Sequence, residues 1–479
     1  MKKNTSISIA QIVLIIFVLI FCEVINISDH SAINIQPGSK IHLLSEINRS
    51  LPYYVSSDII EKNLQKAFFD PNLRKTGYSV VKTMQFGLDG KVYVAGQASL
   101  AGMLTIESDV TVYFKEDTDI FVASFSSDLK TLHQATFFGG SEIDNIGAMQ
   151  IGSQGEVYIA GTTYSSDFPG IPDKLKATTR NFMDYPSGFV SLFSPDLKTL
   201  HQTYLLKGSE DTWVHSMVID SENNIYVAGS TWSTVFPGTT GGAQSTLGGF
   251  FDGYIAKLSS DLKTLHQTTY LGGNDHDGIN SLQIVPEGQV YAVGTTQSSD
   301  FPKVQGGFQD TKVDNLNTFI SKLSADLCTI HQSTYLVGSK GSSLVNIAFG
   351  LEGELYLAGG TYSSDFPCTE EGAQSSNGGG MFDGMVAMLS PDLKTLHQAT
   401  YLGGVNLDSI NAIGIGPQGD IYVTGITKSV DFPGTIGGIQ SSKRGIFAGF
   451  IAKFSPDLKT LHQTSYLGGK GSDYPYSMI

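Results

Sequence analysis

The hydrophobic residues of this chain fall in short runs separated by turn residues, and the repeated part lacks the three-to-four-residue spacing of an amphipathic helix. The unit that starts at Gly278 reads as four strands, INSLQIV, QVYAVG, TFISKL and IHQSTYL. A PEG turn joins the first two, a connection of more than twenty residues follows, and SADLCT joins the last two. The pattern predicts a four-stranded antiparallel sheet, whose strands we call A to D.

The composition of strand B indicates how such a sheet must be covered. In VYIA, Val157 and Ile159 point to one face, and Tyr158 and Ala160 point to the other, so both faces are apolar. Strand D carries His and Gln and is expected to be half exposed. Inner strands that are buried on both faces are typical of blades packed face to face around an axis.

One phrase recurs six times at a nearly constant interval. It reads SSDLKTLHQATFFGG at its first occurrence, from Ser126. Its Asp stands at Asp128, Asp196, Asp261, Asp326, Asp392 and Asp457. The steps are 68, 65, 65, 66 and 65 residues, which predicts one blade for each repeat. The phrase lies at the C-to-D turn, where an Asp accepts hydrogen bonds from nearby backbone N–H groups, so we interpret it as blade-forming.

These phrases resemble the bacterial β-propeller repeat called SBBP. The resemblance rests on GEVYIAGTTYSSDFPG and DGYIAKLSSDLKTLHQTTYLGG, whose copies recur in fixed order, and it covers about residues 76 to 479. It implies a propeller fold and an extracellular setting, but no defined activity and no catalytic residues. We therefore expect an all-β propeller of antiparallel blades with six complete repeats of about 65 residues, or alternatively a truncated seven-bladed propeller.

The end of the sequence bears on how the blades close. After the sixth repeat the chain continues as KGSDYPYSMI, which aligns with the start of a strand A and stops before its hairpin turn. We expect six blades to close, with this tail packed across the junction. Val92 and Val94, or their opposite-face partners, are then predicted to meet the strands between Asn411 and Thr424.

The N-terminal part lies outside the repeats. Residues 1–22 hold Lys2 and Lys3 followed by an apolar run, the pattern of a signal peptide or an N-terminal anchor. Residues 23–75 read as a linker with a short helix capped by Asp58, and 76–479 form the repeat domain. A secreted or bacterial cell-surface protein is predicted, with membrane contact only through the N-terminal segment. In the first repeat, MLTIESDVTVYF predicts an extra strand.

Charge and cysteine content exclude several classes of protein. The net charge is −15 and Lys and Arg are not clustered beyond Lys2 and Lys3, so a nucleic-acid partner is not expected. Three cysteines are too few for a disulfide framework. Cys328 lies in a C-to-D turn and Cys368 in the next B-to-C connection, and we predict that they are not bonded.

Candidate binding residues come from positions where the repeats differ. One position of strand A, nearest the axis, varies and is largely polar; it holds Lys82, His215, Asn280 and Asn411. A small ligand in the channel or simple hydration would both suit it. The long B-to-C connections vary more, and we expect them to lie on one face with the D-to-A links. Their exposed aromatic residues are predicted to anchor a protein or a glycan: Phe182, Tyr185, Trp232 and Phe251.

Two sequence patterns, the repeated histidines and the segment NDHDG, bear on metal binding. Six histidines recur on strand D of separate blades and point away from one another, so a structural role is preferred to zinc binding. At NDHDG the alternative to a purely structural role is calcium binding through Asp275 and Asp277. No further acidic residue stands at the spacing of a known calcium-binding loop. Otherwise no cofactor is expected.

The function that follows is non-enzymatic. The chain has no G-x-S-x-G, no H-E-x-x-H and no phosphate loop that opens a helix. We predict a binding or scaffold module for protein or glycan that acts through its long-loop face. The alternative is a secreted enzyme acting on polysaccharide, for which two carboxylates about 5 to 10 Å apart on that face would be required.

Overall fold

Strands joined by tight turns make up all the regular structure of the described residues. The computed structural model describes residues 79–99, 111–113, 118–171, 185–313, 316–471 and 473–475. Within these ranges there are twenty-five strands in six sheets, and each sheet contains strands A to D of one repeat in chain order. The sheets lie in a ring as the blades of a six-bladed β-propeller, which confirms the predicted fold.

The first three blades contain thirteen strands. Blade 1 comprises β1 (Ser79–Phe86), β2 (Val92–Ser99), β3 (Thr111–Tyr113), β4 (Thr118–Phe125) and β5 (Leu132–Phe138). Blade 2 comprises β6 (Asp144–Ile151), β7 (Val157–Thr163), β8 (Ser187–Phe193) and β9 (Leu200–Leu206). Blade 3 comprises β10 (Thr212–Ile219), β11 (Ile225–Thr231), β12 (Asp252–Leu258) and β13 (Leu265–Leu271). Strand β3 pairs in parallel with β5, which confirms the extra strand of the first repeat.

The remaining blades have four strands each. Blade 4 comprises β14 (Asp277–Ile284), β15 (Val290–Thr296), β16 (Asn317–Leu323) and β17 (Ile330–Leu336). Blade 5 comprises β18 (Ser342–Phe349), β19 (Leu355–Thr361), β20 (Asp383–Leu389) and β21 (Leu396–Leu402). Blade 6 comprises β22 (Asp408–Ile415), β23 (Ile421–Thr427), β24 (Ala448–Phe454) and β25 (Leu461–Leu467).

Every strand A contains a β-bulge at the variable position. In blade 4, Ile279 pairs with Gly294 and Ser281 with Val293, so Asn280 has no partner on strand B. The bulge brings the carbonyl oxygen of Gly278 to within 1.9 Å of where a Cβ of Gly294 would lie. The same approach, at 1.9 or 2.0 Å, recurs at Gly96, Gly161, Gly229, Gly359 and Gly425. The Gly of each VYVAG phrase is therefore required by the bulge.

The repeated Asp-Leu-Lys-Thr phrase forms the predicted C-to-D turn. In blade 3, the Asp261 carboxylate accepts hydrogen bonds from the Ser259 hydroxyl at 2.7 Å and the Lys263 N–H at 3.1 Å. Leu262 between them has φ 54°, in the left-handed region, and its side chain is fully buried. Such backbone strain costs about 1–3 kcal/mol. Burial of the leucine gains about 1.5–3 kcal/mol and offsets that cost.

Hydrophobic cores lie between blades rather than within them. Tyr226 and Ile255 of blade 3, for example, pack with Ile279 and Leu327 of blade 4. Five such cores join the successive blades from 1 to 6. The leucine of each C-to-D turn from blade 2 onwards is part of the core shared with the preceding blade. The turn thus binds one blade to its neighbour.

A tyrosine on strand B adds a polar link at the same five seams. Its hydroxyl donates to the carbonyl of the residue before the turn Asp in the next blade, with O–O distances of 2.7 to 2.9 Å. The pairs are Tyr93–Pro195, Tyr158–Ser260, Tyr226–Ala325, Tyr291–Pro391 and Tyr356–Pro456. We call this hydrogen bond the seam latch. It explains why tyrosine recurs in every strand B.

The seam between blades 6 and 1 differs from the other five. Among the described residues, the core that contains Val92 and Val94 is built from blade 1 only. The predicted contact of these valines with the strands between Asn411 and Thr424 does not occur there. The sixth tyrosine, Tyr422, likewise forms no seam latch within the described residues.

The tail lies beside blade 6 where the strand A of a following blade would begin, as the alignment predicted. Asp473 accepts a hydrogen bond from the N–H of Gly469 at 2.9 Å, as Asp408 does from Gly404 at 2.7 Å. The Asn411 side chain donates to the carbonyl of Pro475 at 2.9 Å. These contacts join the tail to blade 6, and the predicted packing across the junction with blade 1 is not seen within the described residues.

Other expectations have simpler outcomes. Cys328 and Cys368 are both free thiols, which confirms the predicted absence of a bond. The signal or anchor segment 1–22 and the predicted helix near Asp58 lie outside the described residues. The described ranges contain no helix that is long and apolar enough to cross a bilayer.

The requirement for glycine in strand B, opposite the bulge, can be tested by substitution. Gly294→Ala should destabilise the protein by about 1–3 kcal/mol, because the new Cβ would overlap a backbone carbonyl that cannot move without disrupting the bulge. Gly278→Ala is the matched control, since a Cβ there meets no atom closer than 3.8 Å. Denaturant unfolding of both variants measures the difference. Equal losses would contradict the steric explanation.

The seam latch can be tested by removing one hydroxyl. Tyr291→Phe should lower the free energy of unfolding by about 1 kcal/mol, because the Pro391 carbonyl loses its 2.8 Å donor. Tyr422→Phe removes the same hydroxyl where no latch forms and should cost less. Thermal and denaturant unfolding compare the two. A larger loss in the Tyr422 variant would show that the latch does not stabilise the seams.

Candidate functional site

The long B-to-C connections lie along the outer edge of strand D. In blade 3 the N–H of Thr268 donates to the Gly238 carbonyl at 2.8 Å, and that of Tyr270 donates to Gln244 at 3.0 Å. The Gln267 side chain also donates to Gly238, at 2.7 Å. Blades 4, 5 and 6 repeat both backbone bonds. The prediction that these connections form a loop face is therefore wrong for their middle parts, which shield an edge strand.

The two ends of each connection do lie at the face that carries the D-to-A links, and there aromatic residues gather. Strand pairing of Thr231 with Asp252 brings the flanking Trp232 and Phe251 together. A parallel bridge sets Phe251 beside His276 of the next link. We name the group formed by Trp213, Trp232, Phe250, Phe251 and His276 the Trp232 cluster.

Ring contacts run continuously through the Trp232 cluster. Trp232 stacks on Phe251 with centroids 6.2 Å apart and 2° between the planes, and it meets Trp213 edge-on at 6.4 Å. His276 lies 4.8 Å from Phe251 and stacks on Phe250 at 5.2 Å. Trp232 is 43% exposed and Phe250 is 69% exposed. The cluster is thus a broad aromatic surface open to solvent.

Carboxyl groups border this surface. Asp275 accepts a hydrogen bond from the His276 ring at 2.6 Å, and this bond lowers the pKa of Asp275. The backbone N–H of Trp232 donates to the backbone carbonyl of Asp211 at 3.0 Å, which holds Asp211 beside the cluster. Burial, and next the charge of Glu210, raise the pKa of Asp211. The Trp232 cluster therefore combines apolar ring faces with several oxygen acceptors.

The corresponding positions in other blades form smaller aromatic groups. Blade 5 has Tyr362 and Phe382 with centroids 4.6 Å apart, and in blade 6 Lys428 lies over the Phe447 ring at 4.4 Å. Tyr185 takes the place of Phe250 in blade 2 and is 55% exposed. The blade 3 cluster is the largest of these groups in the part of the chain that the structure describes.

Two of the four predicted aromatic anchors thus meet in one site. Trp232 and Phe251 are in contact, Tyr185 lies on another blade, and Phe182 is outside the described residues. Sequence reasoning missed Trp213, Phe250 and His276. Each of these residues lies beside the end of a predicted strand, and that position was the signal that could have identified it. Which strand ends come together depends on how the blades pack against each other.

The predicted channel residues occupy the bulge of strand A. The His215 ring is hydrogen-bonded through Nδ1 to the carbonyl of Ile279 at 2.9 Å, and Asn411 donates to Pro475. Desolvation lowers the pKa of His215, and burial lowers that of Lys82. Asn280 is exposed. His215 therefore joins the innermost strands β10 and β14, and Asn411 joins β22 to the tail.

Pairs of buried aspartates lie at alternate seams. The Asp252 carboxylate accepts hydrogen bonds from the Gly248 N–H at 2.7 Å and the Gln244 side chain at 2.9 Å. Its neighbour Asp277 accepts from the Gly273 N–H and the Ser298 hydroxyl, each at 2.7 Å. Similar pairs are Asp119–Asp144 and Asp383–Asp408, whereas the seams between them carry Ser187–Thr212 and Asn317–Ser342. All six carboxyls are completely buried.

These contacts bear on the two alternatives left by the sequence. The Oδ2 atom of Asp277 accepts hydrogen bonds from the Gly273 N–H and the Ser298 hydroxyl, and Asp275 is paired with the His276 ring. Within the described residues, no three His, Cys, Asp or Glu side chains gather in a metal-binding geometry. The repeated histidines stand exposed on separate blades. A polysaccharide cannot reach the aspartate pairs, since they are fully buried.

Comparison with known proteins agrees with the fold and the repeat. A family model described as the SBBP β-propeller repeat matches residues 203–237. This match, together with the six-bladed ring, confirms the resemblance. The chain is a β-propeller built from repeated blades, and one segment, residues 203–237, matches the SBBP repeat model. No curated protein matches the chain.

The solved structures that match this chain have low sequence identity to it. A protein of unknown function from Dyadobacter fermentans is 11% identical, with 75% of this chain and 92% of that one covered and a TM-score of 0.39. NanB sialidase from Streptococcus pneumoniae is 9% identical, with 75% and 66% covered and a TM-score of 0.41. Sqt1 from Chaetomium thermophilum is 11% identical, with 85% and 89% covered and a TM-score of 0.40.

The buried aspartates predict a pH-dependent stability. Burial raises the pKa of Asp252 to about 7, and those of Asp144 and Asp383 to about 6, from 3.8. Because the folded-state values are raised, the stability that protonation contributes is complete below 3.8 and is lost as the pH rises through about 6 to 7. The melting temperature should therefore fall between about pH 5 and pH 8.

Asp252→Asn tests the cause of this dependence. Since an amide does not ionise, the loss of unfolding free energy over the same range should shrink by on the order of 1–3 kcal/mol. Asp261→Asn is the control: burial is absent and the hydroxyl of Ser259 lowers the pKa of Asp261, so its charge is constant over that range. Unfolding curves at several pH values provide the measurement. An unchanged slope in the Asp252 variant would contradict the assignment.

Proposed function

We propose that this protein is a non-enzymatic binding module, exported by a bacterium to its surface or surroundings, and that the Trp232 cluster binds a neutral glycan. The observation that carries the proposal is the meeting of the only two tryptophans of the chain, Trp213 and Trp232, on one exposed aromatic surface. Large exposed aromatic groups on a rigid scaffold are characteristic of recognition sites.

The chemistry of the cluster suits a sugar ring. Flat aromatic faces pack against the apolar C–H face of a pyranose and bury it at low entropic cost, because each ring has few rotatable bonds. The neighbouring Asp275 and Asp211 offer oxygen acceptors for the hydroxyl groups at the ring edge. A glycan uses both features at once, whereas an apolar peptide would leave the carboxylates without partners.

The negative charge of the protein bears on whether the glycan is charged or neutral. The chain has a net charge of −15, and Glu210, Asp211 and Asp275 stand close to the aromatic surface. An anionic polysaccharide would be repelled at this surface. We therefore infer a ligand without charged groups.

The surroundings of the cluster support binding rather than catalysis. The carboxyl pairs described above are completely buried, so they are not presented on the aromatic surface. Export is inferred from Lys2 and Lys3 followed by the apolar run up to Phe21, and from the extracellular setting that SBBP repeats imply. A secreted enzyme acting on polysaccharide is the alternative, and it would release new reducing ends.

Trp232→Ala should weaken glycan binding by about tenfold or more, because truncation removes the ring that links Trp213 to Phe251. The probes are neutral oligosaccharides of glucose, xylose, mannose and N-acetylglucosamine. Intrinsic fluorescence reports on the site directly, since both tryptophans of the chain lie in the cluster.

Tyr362→Ala is the matched control at the same position of blade 5, and its affinity should equal that of the native protein. No fluorescence change with any neutral oligosaccharide, or full binding by the Trp232 variant, would contradict the proposed site. Release of reducing ends from the probes would identify an enzyme instead.

A further inference from the structure

Blade 5 repeats the geometry of the Trp232 cluster at the same strand ends. The ladder between its strands B and C ends with Thr361 opposite Asp383. The adjoining Tyr362 and Phe382 are thereby brought together, with ring centroids 4.6 Å apart and 56° between the planes. Tyr362 is 44% exposed, and Met381 beside Phe382 is 83% exposed. We call Tyr362, Met381 and Phe382 the Tyr362 group.

Polar residues beside the two aromatic groups also correspond, but they differ in charge. The N–H of Lys340 donates to a serine hydroxyl at 2.9 Å, as the N–H of Glu210 does at 3.0 Å. The N–H of Asn406 makes the same bond at 2.9 Å, as that of Asp275 does at 2.8 Å. Both Lys340 and Asn406 are exposed. The Tyr362 group is therefore flanked by hydrogen-bond donors as well as an amide acceptor, which suits sugar hydroxyl groups.

Blade 4 holds the two aromatic groups at a fixed separation. The N–H of Gln297 donates to the carbonyl of His276 in the Trp232 cluster at 2.8 Å, and that of Tyr362 donates to Gly341 at 2.9 Å. Blade 4 presents Gln297 and Leu316 at the equivalent strand ends, and neither is aromatic. Since packed sheets lie about 10 Å apart, the rings of blades 3 and 5 are separated by on the order of 20 Å. One sugar ring therefore cannot touch both groups.

We infer that the Tyr362 group is a second sugar-binding site, and that it and the Trp232 cluster together bind one long, neutral polysaccharide chain. The inference rests on the proposed glycan binding by the Trp232 cluster and adds the class of ligand, a polymer rather than a short oligosaccharide or a terminal sugar.

Two like sites at a fixed distance favour a repeating ligand. A linear polysaccharide presents the same apolar ring face at regular intervals, so it can place one sugar on each aromatic group. Once one group has bound, the rest of the chain is held close to the other, and the second contact forms at a high effective concentration. A disaccharide is too short to gain this advantage. Affinity is therefore expected to increase with chain length.

The test compares a disaccharide with a long, soluble, unsubstituted polymer of the same sugar, for glucose, xylose and mannose in turn. Tryptophan fluorescence of the full chain reports on the Trp232 cluster, since both tryptophans lie there. The native protein should bind the polymer about tenfold or more tightly than the disaccharide, compared per binding unit. Tyr362→Ala should abolish this advantage and leave the disaccharide affinity unchanged. Tyr362→Phe keeps the ring and should bind the polymer as the native protein does.

Leu351→Ala is the matched control, since Leu351 is 66% exposed in the A-to-B turn of the same blade, at the opposite strand ends. Its affinity for both probes should be unchanged. Polymer binding no tighter than disaccharide binding, or a polymer affinity that Tyr362→Ala leaves unchanged, would overturn the inference and leave the blade 3 site in place. No response to either probe would contradict the proposed glycan site itself.

Discussion

A leucine held in the left-handed backbone region at each C-to-D turn is the constraint on which the propeller depends. The turn is closed by an Asp that accepts hydrogen bonds from a serine and a backbone N–H, as at Asp261. This geometry projects the leucine into the core of the preceding blade, as Leu262 shows. The strand B tyrosine and the B-to-C connection then bond to carbonyls of the same turn. One short phrase thereby fixes the orientation of two blades.

Rigid seams allow neighbouring blades to present residues in defined positions at their ends. Trp213 and Trp232 of blade 3 and His276 of the following link meet because strand ends of adjacent blades are held together. The B-to-C connections contribute their ends to this surface while their middle parts cover strand D. A protected edge prevents pairing with other chains. Recognition by the Trp232 cluster would use that face without deforming the blades.

The proposed glycan site arises where the repeats depart from one another. The Trp232 cluster exists because blade 3 alone among the described blades combines two tryptophans with a Phe-Phe pair. Buried aspartates alternate with neutral residues at successive seams, which makes stability depend on pH at some seams only.

The sequence by itself determined the blade count, the strands, the C-to-D turn, the strand-like segment of the first repeat and the alignment of the tail. These follow from local patterns that recur at about 65 residues, because each blade needs the same alternation of apolar and turn residues. Tertiary structure decided the course of the B-to-C connections, the pairing of Asp252 with Asp277 and the meeting of Trp213, Phe250 and His276. Such contacts depend on how neighbouring blades pack. The periodicity of a single repeat does not show which residues of two different blades come into contact.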